Sequence, residues 1–373
     1  MKSNDVLQAS GSELSPAPSA FASIWQLIGN LWFRALRAIL ACGCLGLIAA
    51  LFVGWMAPWS YYCDLFANFR SQYILVGLGL IVIAAGLKRC KSLVVVVLLT
   101  LPHTIQVVPY YWPLRWITSR MESLPAASSE ARAKEPSAVP GRPLRLVAFN
   151  VLYLNRDHER AIRFLRESHA DLIVLCECNY GWFEAVRAGL ADSHPYNSSE
   201  FFPMWDGTRV FSRQPLRAAT DFEHFRQIPE AEKLLAVSTR WQDREITVMG
   251  IHTASPTSAQ RFKIRNEMLA LMEQVGTQVQ DPLIMAGDFN CTSGSPFFVN
   301  DGRLRDSRVG FGWHGSWPTF APELLRIPID HVLVNQHWEV LHREVAPDVG
   351  SDHAPVIVDL RLLPDSASTT NAP

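Results

Sequence analysis

Residues 283–290, Leu283-Ile284-Met285-Ala286-Gly287-Asp288-Phe289-Asn290, decide how the second half of this chain is interpreted. A short apolar run that ends in Gly-Asp-x-Asn is typical of a buried strand reaching the edge of a sheet. Such a strand would deliver a carboxylate and an amide to that edge, above an apolar core. A strand followed by an Asx turn explains the same residues without any chemistry. The neighbouring segments must therefore decide between the two interpretations.

Polar residues also follow or open the other predicted strands of this half. These positions are Asn150, Glu177, His252, Asp330 and the triplet Ser351-Asp352-His353. Together with Asp288 and Asn290 they supply carboxylates, amides and imidazoles, with no nucleophilic Ser or Cys. This chemistry favours oxygen ligation of a hard divalent cation beside histidine acid–base groups. The pattern predicts metal-assisted hydrolysis of a phosphoester.

Short apolar strands alternate with amphipathic helices from residue 144 to residue 361. Helices are predicted over 157–168, 182–190 and 258–274, and the remaining apolar runs are predicted to be strands, among them residues 234–241 and 338–345. Mixed strands and helices over this length indicate a two-sheet α/β sandwich with helices outside. The predicted fold class is this sandwich, preceded by an all-α transmembrane segment.

Three apolar runs precede the sandwich, at 36–56, 72–87 and 93–112. Their lengths reach or approach the roughly 20 residues that a membrane-spanning helix needs. A cleaved signal peptide is a weaker interpretation of the first run, because it starts late and is followed by further apolar runs. The predicted organisation is a disordered cytoplasmic N-terminus (1–35), three spans (36–112), a linker (113–143), the sandwich domain (144–361) and a disordered tail (362–373).

The orientation of the spans is predicted from their flanking basic residues. Arg34 and Arg37 precede the first span and Lys88, Arg89 and Lys91 lie between the second and third. Basic residues accumulate on the cytoplasmic side of membrane proteins. Three spans then place the sandwich domain on the extracytoplasmic side of a lipid bilayer.

Charge and cysteine usage exclude several classes of protein. Residues 145–361 contain 22 Lys and Arg against 28 Asp and Glu, a net charge of −6, so this half is not a basic polyanion binder. The seven cysteines include no CxxC pair and form neither a disulfide framework nor a zinc site. Cys176 and Cys178 are predicted to lie on the strand face opposite Glu177.

The order of these motifs resembles the endonuclease/exonuclease/phosphatase family, which includes deoxyribonuclease I, apurinic endonucleases, neutral sphingomyelinases and inositol polyphosphate 5-phosphatases. The resemblance covers about residues 144–361 and implies a deoxyribonuclease I-like fold and Mg²⁺ as cofactor, with Mn²⁺ as an alternative. It implies that Glu177 is the principal metal-binding residue, with Asn150 and Asp352 close to the ion or the phosphate. Asp288 and Asn290 would orient the attacking water and hold the phosphate.

The resemblance also implies the roles of the remaining residues. His353 would act as a base or as a cation facing the phosphoryl oxygens, with Asp330 fixing its tautomer. His252 would stabilise or protonate the leaving oxygen. Arg213 is a candidate phosphate contact, with a structural role as its alternative. Trp313, Trp317 and Phe320 form either a substrate-facing wall or part of the core.

The chain departs from the family pattern in two places. Cys176 stands where many relatives have Gln before the glutamate, and no DNA-penetrating loops or basic face are evident. The predicted function is a membrane-anchored phosphoesterase whose substrate is a lipid head group, a nucleotide or a nucleic acid. The alternatives are a nuclease acting on extracytoplasmic DNA or RNA and an inactive, membrane-tethered binding module. No protein partner is predicted.

Overall fold

The computed structural model describes residues 20–112, 141–201, 207–219, 234–299 and 302–364. Residues 1–19, most of the predicted linker and residues 365–373 lie outside these ranges. The tail was expected to be disordered from residue 362, but Leu362 is the last residue of a strand. Residues 20–35 were expected to be disordered, but they are helical, because the first helix begins at Ala20 and continues without interruption into the first apolar run.

The first part of the chain consists of four helices. They are α1 (Ala20–Met56), α2 (Tyr61–Ala67), α3 (Arg70–Gly86) and α4 (Cys90–Tyr111). Two helical segments, Ile24–Met56 and Cys90–Tyr111, are long and apolar enough to cross a membrane. The bent pair α2 and α3, which meet at 61°, is a third candidate. The short helix α2 was not predicted.

The second part is a two-sheet α/β sandwich, as predicted. Its strands are β1 (Leu144–Asn150), β2 (Leu172–Cys178), β3 (Tyr196–Asn197), β4 (Gly207–Ser212), β5 (Arg217–Ala218), β6 (Leu234–Trp241), β7 (Arg244–His252), β8 (Leu283–Asp288), β9 (Arg305–Asp306), β10 (Asp330–Val334), β11 (Trp338–Val345) and β12 (Val356–Leu362). One sheet has the order β11-β12-β1-β2-β4-β3 and the other β5-β6-β7-β8-β10-β9. The helices are α5 (His158–Glu167), α6 (Tyr180–Gly189) and α7 (Ala259–Gln278).

Local sequence explains where these three helices begin. Asp157, Asn179 and Ser258 each precede a helix, and the side chain of each accepts a hydrogen bond from a backbone N–H in the first turn. Short polar side chains at this position satisfy donors that the helix leaves unpaired. The strands are rich in Val, Ile and Leu because such side chains fill the space between buried layers.

Three apolar clusters fill the sandwich. The largest lies between the facing sheets and includes Leu146, Val174, Val248 and Ile284. A second cluster packs α7 against the outer face of one sheet, and a third packs α5 and α6 against the other. Both sheets are therefore covered on both faces, which leaves their edges for polar chemistry.

Strand direction brings the polar motifs to one edge of the sandwich. β1 runs parallel to β2, and β7 runs parallel to β8, so each pair ends at the same edge. β10 runs antiparallel to β8 and begins where β8 ends. β12 runs antiparallel to β1 and begins where β1 ends. We call this edge the site edge.

The helical part docks on the site edge. On α2, Asp64 forms an ion pair of 2.8 Å with Arg265 of α7, and neither side chain is exposed. Asn68 accepts hydrogen bonds from the backbone N–H (2.7 Å) and hydroxyl (3.0 Å) of Thr292, in the loop after β8. The Asp64 carboxylate also accepts a hydrogen bond of 2.6 Å from Ser295. This interface is polar and buried, so it fixes the two parts relative to one another.

Two further contacts continue this interface. The Gln72 side chain on α3 donates to the carbonyl oxygens of Leu325 (3.0 Å) and Arg326 (3.3 Å), in the loop before β10. At the end of α4, the Tyr110 carbonyl accepts hydrogen bonds of 2.9 Å from the backbone N–H groups of Gly310 and Gly312. Helices α2, α3 and α4 therefore all contact loops that lie at the site edge.

Candidate active site

Asp288 lies at the centre of the site edge and is 1% exposed. In the sheet, β7 places His252 beside it on one side and β10 places Asp330 on the other. The Asp288 carboxylate accepts a hydrogen bond of 3.0 Å from the side-chain amide of Asn150 on the facing sheet. It accepts another of 2.8 Å from the backbone N–H of Asn290. The predicted residues of both sheets therefore meet at this carboxylate.

The residue before Asp288 has to be glycine. Gly287 has a φ of +138°, a backbone conformation that L-residues rarely adopt. A Cβ at this position would also collide with the Ile251 carbonyl oxygen on β7. The close approach of β7 and β8 that sets Asp288 beside His252 therefore depends on the missing side chain.

We expect Gly287→Ala to destabilise the protein by more than backbone strain alone, which is about 1–2 kcal/mol for a left-handed residue. The additional loss comes from displacing β7. Gly302→Ala is the matched control, because Gly302 also has a positive φ (+80°) but a Cβ added there would meet no other atom within 4 Å. Thermal unfolding of the full chain in detergent compares the two variants. Equal losses would contradict the steric explanation.

Asp330 and His353 form a hydrogen-bonded pair next to Asp288. The His353 Nδ1–H donates to Asp330 Oδ2 at 2.8 Å, and Nε2 then faces Asp288 Oδ2 at 3.8 Å. The Asp330 backbone N–H donates to Ser316 Oγ, and that of His353 donates to Ser351 Oγ. These bonds fix the orientation of the imidazole ring, with Nε2 directed toward the centre of the site.

The charges of this group are set by burial and by each other. Burial raises the pKa of Asp288 to about 7; the nearby His353 opposes this shift and Asp330 adds to it. Burial alone would lower the pKa of His353, but the carboxylates of Asp330 and Asp288 raise it to about 10. Near neutral pH the imidazole is therefore a cation, and Asp288 has a pKa suited to proton transfer.

Glu177 reaches the site through an irregularity in β2. Its φ is +56°, and the register with β4 shifts between Leu175 and Cys178. Its carboxylate accepts hydrogen bonds of 3.1 Å from the Asn150 side chain and from the Tyr153 backbone N–H. Such a backbone conformation costs of order 1–3 kcal/mol and is concentrated at functional sites.

The same irregularity makes the prediction for the two cysteines wrong. Cys176 contacts the Ile251 carbonyl of the facing sheet, with 3.1 Å between Sγ and the oxygen. Cys178 belongs instead to the outer cluster beneath α5 and α6. Strict alternation fails here because Glu177 turns the strand. Where Gln was expected from the family pattern, Cys176 fills a narrow space between the sheets and is fully buried.

His252 and Asn290 complete the centre of the site. His252 Nε2 is 4.0 Å from Glu177 Oε1, and His252 is 8% exposed. The Asn290 side chain donates a hydrogen bond of 3.0 Å to the Thr253 carbonyl, and its φ is +48°. The loops after β7 and β8 are thus tied together at the point where both strands deliver their polar residues.

Trp317 is a site residue that the sequence left undecided. Its Nε1–H donates to Asp352 Oδ2 at 3.1 Å, and its ring centroid is 6.4 Å from that of His353. Phe320, in the same loop, is 84% exposed and is not part of the core. A tryptophan in a loop has no sequence signal of its own, so only the fold shows that Trp317 adjoins the site.

The site offers oxygen donors that fit a hard divalent cation. Glu177 has a partly exposed carboxylate, and the buried Asp352 Oδ1 accepts no hydrogen bond within the described residues. Asp288, Asp330 and His353 also have ligand atoms within 4.8 Å of one another. In that group the imidazole is already bound to Asp330 and is cationic, so Glu177 and Asp352 are the better candidates.

Two other predicted residues have structural hydrogen bonds. Asn150 accepts the Leu152 N–H (3.1 Å) at Oδ1 and directs its amide nitrogen to the carboxylates of Glu177 and Asp288, so its role as a metal ligand stays a prediction. Arg213 was a candidate phosphate contact, but it follows β4 at the opposite edge of the sheet. There its Nε donates a hydrogen bond of 2.7 Å to the Ala170 carbonyl oxygen, which favours the structural role that was its alternative.

Acidic and imidazole groups at one edge of a two-sheet sandwich are suited to metal-assisted hydrolysis. A sequence profile of the Endonuclease/Exonuclease/phosphatase family matches residues 147–353, and this chain belongs to that family. Members of the family generally hydrolyse phosphoester bonds and depend on divalent metals. No curated protein matches the sequence significantly.

Several solved structures are similar to this chain. An endonuclease/exonuclease/phosphatase from Beutenbergia cavernae is 21% identical, with a TM-score of 0.46, over 60% of this chain and 72% of that chain. D. rerio TDP2 complexed with a single-strand DNA product is 17% identical, with a TM-score of 0.47, over 59% and 99%. The beta toxin from Staphylococcus aureus is 17% identical, with a TM-score of 0.42, over 58% and 99%.

Proposed function

We propose that this protein is a membrane-anchored, metal-dependent phosphoesterase that hydrolyses a phosphodiester or phosphomonoester by attack of an activated water. The observation that carries the proposal is the arrangement of Asp330, His353 and Asp288 beside Asn150 and Asn290. A buried carboxylate with a pKa near 7 next to a fixed imidazolium is suited to proton transfer near neutral pH.

The positions of the residues suggest how the reaction proceeds. Asp288 accepts a proton from the attacking water as the oxygen–phosphorus bond forms. His353, held by Asp330, presents a cationic Nε2–H to the phosphoryl oxygens, so the cationic role is favoured over that of base. His252 lies on the other side of Asp288, where it stabilises or protonates the leaving oxygen as the phosphorus–oxygen bond to it breaks. Asn290 helps to hold the phosphate.

Glu177 and Asp352 are the residues that would hold a divalent cation, with Mg²⁺ as the preferred ion and Mn²⁺ as the alternative. When bound, the cation supplies positive charge that compensates the charge on the phosphoryl oxygens. Asn150 holds the carboxylates of Glu177 and Asp288 in place by donating to both. Its contribution is therefore to keep two negative groups close together.

The helical part anchors the enzyme in this proposal. Residues 36–56 of the first candidate segment and the helix Cys90–Tyr111 span the bilayer, and α3 forms a third span, with α2 bent from it at 61°. The basic residues near positions 34–37 and 88–91 are cytoplasmic. An odd number of spans then puts the active site on the extracytoplasmic side.

The proposal is tested with the full chain in detergent, using bis(p-nitrophenyl) phosphate as substrate. We expect hydrolysis that requires Mg²⁺ or Mn²⁺. Replacing Glu177 by Gln keeps the shape of the side chain but removes its charge, so the metal concentration for half-maximal rate should rise at least about 10-fold. Isothermal titration calorimetry with the metal alone gives a second measurement.

Glu245→Gln is the matched control, because Glu245 is exposed and lies on β7 at the end remote from the site edge. This variant should bind metal and hydrolyse substrate as the wild type does. A folded wild-type protein that hydrolyses no phosphoester with either ion would favour the inactive binding module. Hydrolysis of plasmid DNA or RNA in preference to small diesters would favour the nuclease.

A further inference from the structure

Exposed hydrophobic side chains are concentrated around the active site. Among the described residues 141–364, seven large hydrophobic side chains are exposed, and six of them lie at the site edge, on the segments that follow β1, follow β2 and precede β10. The six are Tyr153, Leu154, Tyr180, Phe320, Leu324 and Leu325, with exposed fractions from 50% to 84%. The seventh, Tyr196, lies at the other end of the sandwich, where it pairs with Ser212. This uneven distribution indicates that one edge contacts an apolar surface.

Each of these three segments lies next to active-site residues. Tyr153 and Leu154 follow β1, and the Tyr153 backbone N–H binds Glu177. Tyr180 follows β2. The loop with Phe320 and Leu324 is joined to the site by hydrogen bonds from Thr319 to the Asp352 and Ser351 carbonyls. The apolar side chains therefore lie beside the active-site residues.

Contacts with the helical part indicate which apolar surface the site edge faces. Gln72 of α3 holds the carbonyl oxygens of Leu325 and Arg326, so the Phe320 loop is attached to the end of a candidate span. On α2, Phe66 is 56% exposed, whereas Asn68, two residues later, is buried against Thr292. Thr292 is itself two residues after Asn290. The chain geometry of about 3.8 Å per residue puts Asn290 within roughly 25 Å of Phe66.

Exposed aromatic residues mark the same ends of the helices. Trp59, Tyr62, Tyr111 and Trp112 are all more than half exposed and lie near α2 or at the end of α4. Aromatic rings of this kind collect where a bilayer meets water. Since the contacts of α2, α3 and α4 described above lie at the site edge or at the start of α7 beside it, that edge faces the bilayer surface.

We propose that the active site opens onto the membrane and takes a phosphoester carried by the head group of a bilayer lipid. This inference rests on the proposed function, because it requires both the membrane helices and hydrolysis. The apolar side chains of the three segments enter the interfacial layer, and their burial there stabilises the contact between the site edge and the bilayer. A lipid that diffuses in the plane of the bilayer then reaches the site from the side that faces the membrane. The edge that faces the bilayer also carries Asp288 and His353, so the phosphate of a lipid head group reaches them from the membrane side.

The test compares lipid and soluble substrates with the full chain reconstituted in vesicles of phosphatidylcholine and phosphatidylglycerol. Phe320→Asp combined with Leu324→Asp places two charges at the interface without touching the catalytic groups. We expect release of phosphate-bearing head groups to fall at least about 10-fold, because carboxylates enter a bilayer unfavourably. Hydrolysis of bis(p-nitrophenyl) phosphate should stay within about 2-fold of wild type. Tyr196→Asp, at the far end of the sandwich, should change neither rate.

A second measurement does not depend on activity. The extra fluorescence of Phe320→Trp over wild type should be quenched by brominated phosphatidylcholine, and that of Tyr196→Trp should not. Wild-type hydrolysis of the soluble diester with no lipid turnover and no quenching would overturn this inference and leave the proposed function intact. Dimers that the Phe320→Asp change dissociates would also overturn it. Absence of any hydrolysis, including the soluble diester, would overturn the proposed function itself.

Discussion

Replacing Asp288 by Asn is expected to lower kcat by about 10²–10⁴-fold, the usual contribution of a positioned acid–base group. Asn keeps the size of the side chain and an oxygen to accept the Asn290 N–H. It cannot accept a proton from water, and it removes the negative charge that faces His353 Nε2 at 3.8 Å. KM should change little, because the lost interaction belongs to the transition state. Steady-state kinetics on bis(p-nitrophenyl) phosphate at saturating metal measures both constants.

Asp281→Asn makes the same chemical change at an exposed position just before β8. It should leave kcat and KM unchanged, so it controls for the loss of one acidic group near this strand. Thermal unfolding and metal titration of Asp288→Asn show whether the variant remains folded and binds the cation. A folded, metal-binding Asp288→Asn enzyme with near wild-type kcat would exclude Asp288 as the proton acceptor. Another group would then have to activate the water.

Much of the sandwich can be predicted from the sequence because its strands are short apolar runs with polar residues at their ends. The predicted strands Leu234–Trp241 and Trp338–Val345 have the bounds that the structure gives. Helices α5 and α7 start directly after Asp157 and Ser258, at the positions predicted for their first turns. The fold class was confirmed. The pairing of the strands is harder to predict, because an apolar run does not specify which strands are its neighbours. The fold was inferred instead from the order of the motifs, through the family resemblance.

Parts of the site depend on backbone detail that no residue pattern encodes. Glu177 reaches the site through a positive φ and a shifted register, which overrode the alternation expected for Cys176 and Cys178. Arg213 follows a strand as the catalytic residues do, but β4 runs in the direction that puts its end at the opposite edge. A polar residue after a strand therefore identifies a site only when the direction of that strand is known.

The contact between the helices and the site edge was also beyond the sequence. Asp64 and Asn68 look like ordinary polar residues between two apolar runs, and α2 has only 7 residues. Their partners, Arg265 and Thr292, lie 201 and 224 residues further along the chain. These hydrogen-bonding partners come together only in the folded protein. Neither half of the sequence therefore shows that its own polar residue is buried and paired.

Removing one partner of the buried ion pair should cause the largest loss of stability. Asp64→Ala leaves the fully buried guanidinium of Arg265 without its carboxylate, and breaking such a pair costs about 3–5 kcal/mol. Arg265 also donates at 3.4 Å to the Asn290 carbonyl, so the loop after Asp288 should shift and kcat should fall. Thermal unfolding in detergent and steady-state kinetics measure the two effects.

The double variant Asp64→Leu with Arg265→Met separates an unpaired charge from a lost interface. Apolar residues fill the space of the pair without a buried charge, and well-packed apolar replacements of buried ion pairs are often neutral or stabilising. Stability should therefore recover toward wild type, and kcat should recover with it if α2 acts by holding the loop in place. Glu159→Ala, which breaks an exposed pair with Arg163, is the control and should have no measurable effect. A double variant as unstable as Asp64→Ala would mean that the charges themselves hold the helices on the site edge. Recovery of stability without recovery of kcat would instead assign Arg265 a direct part in positioning Asn290.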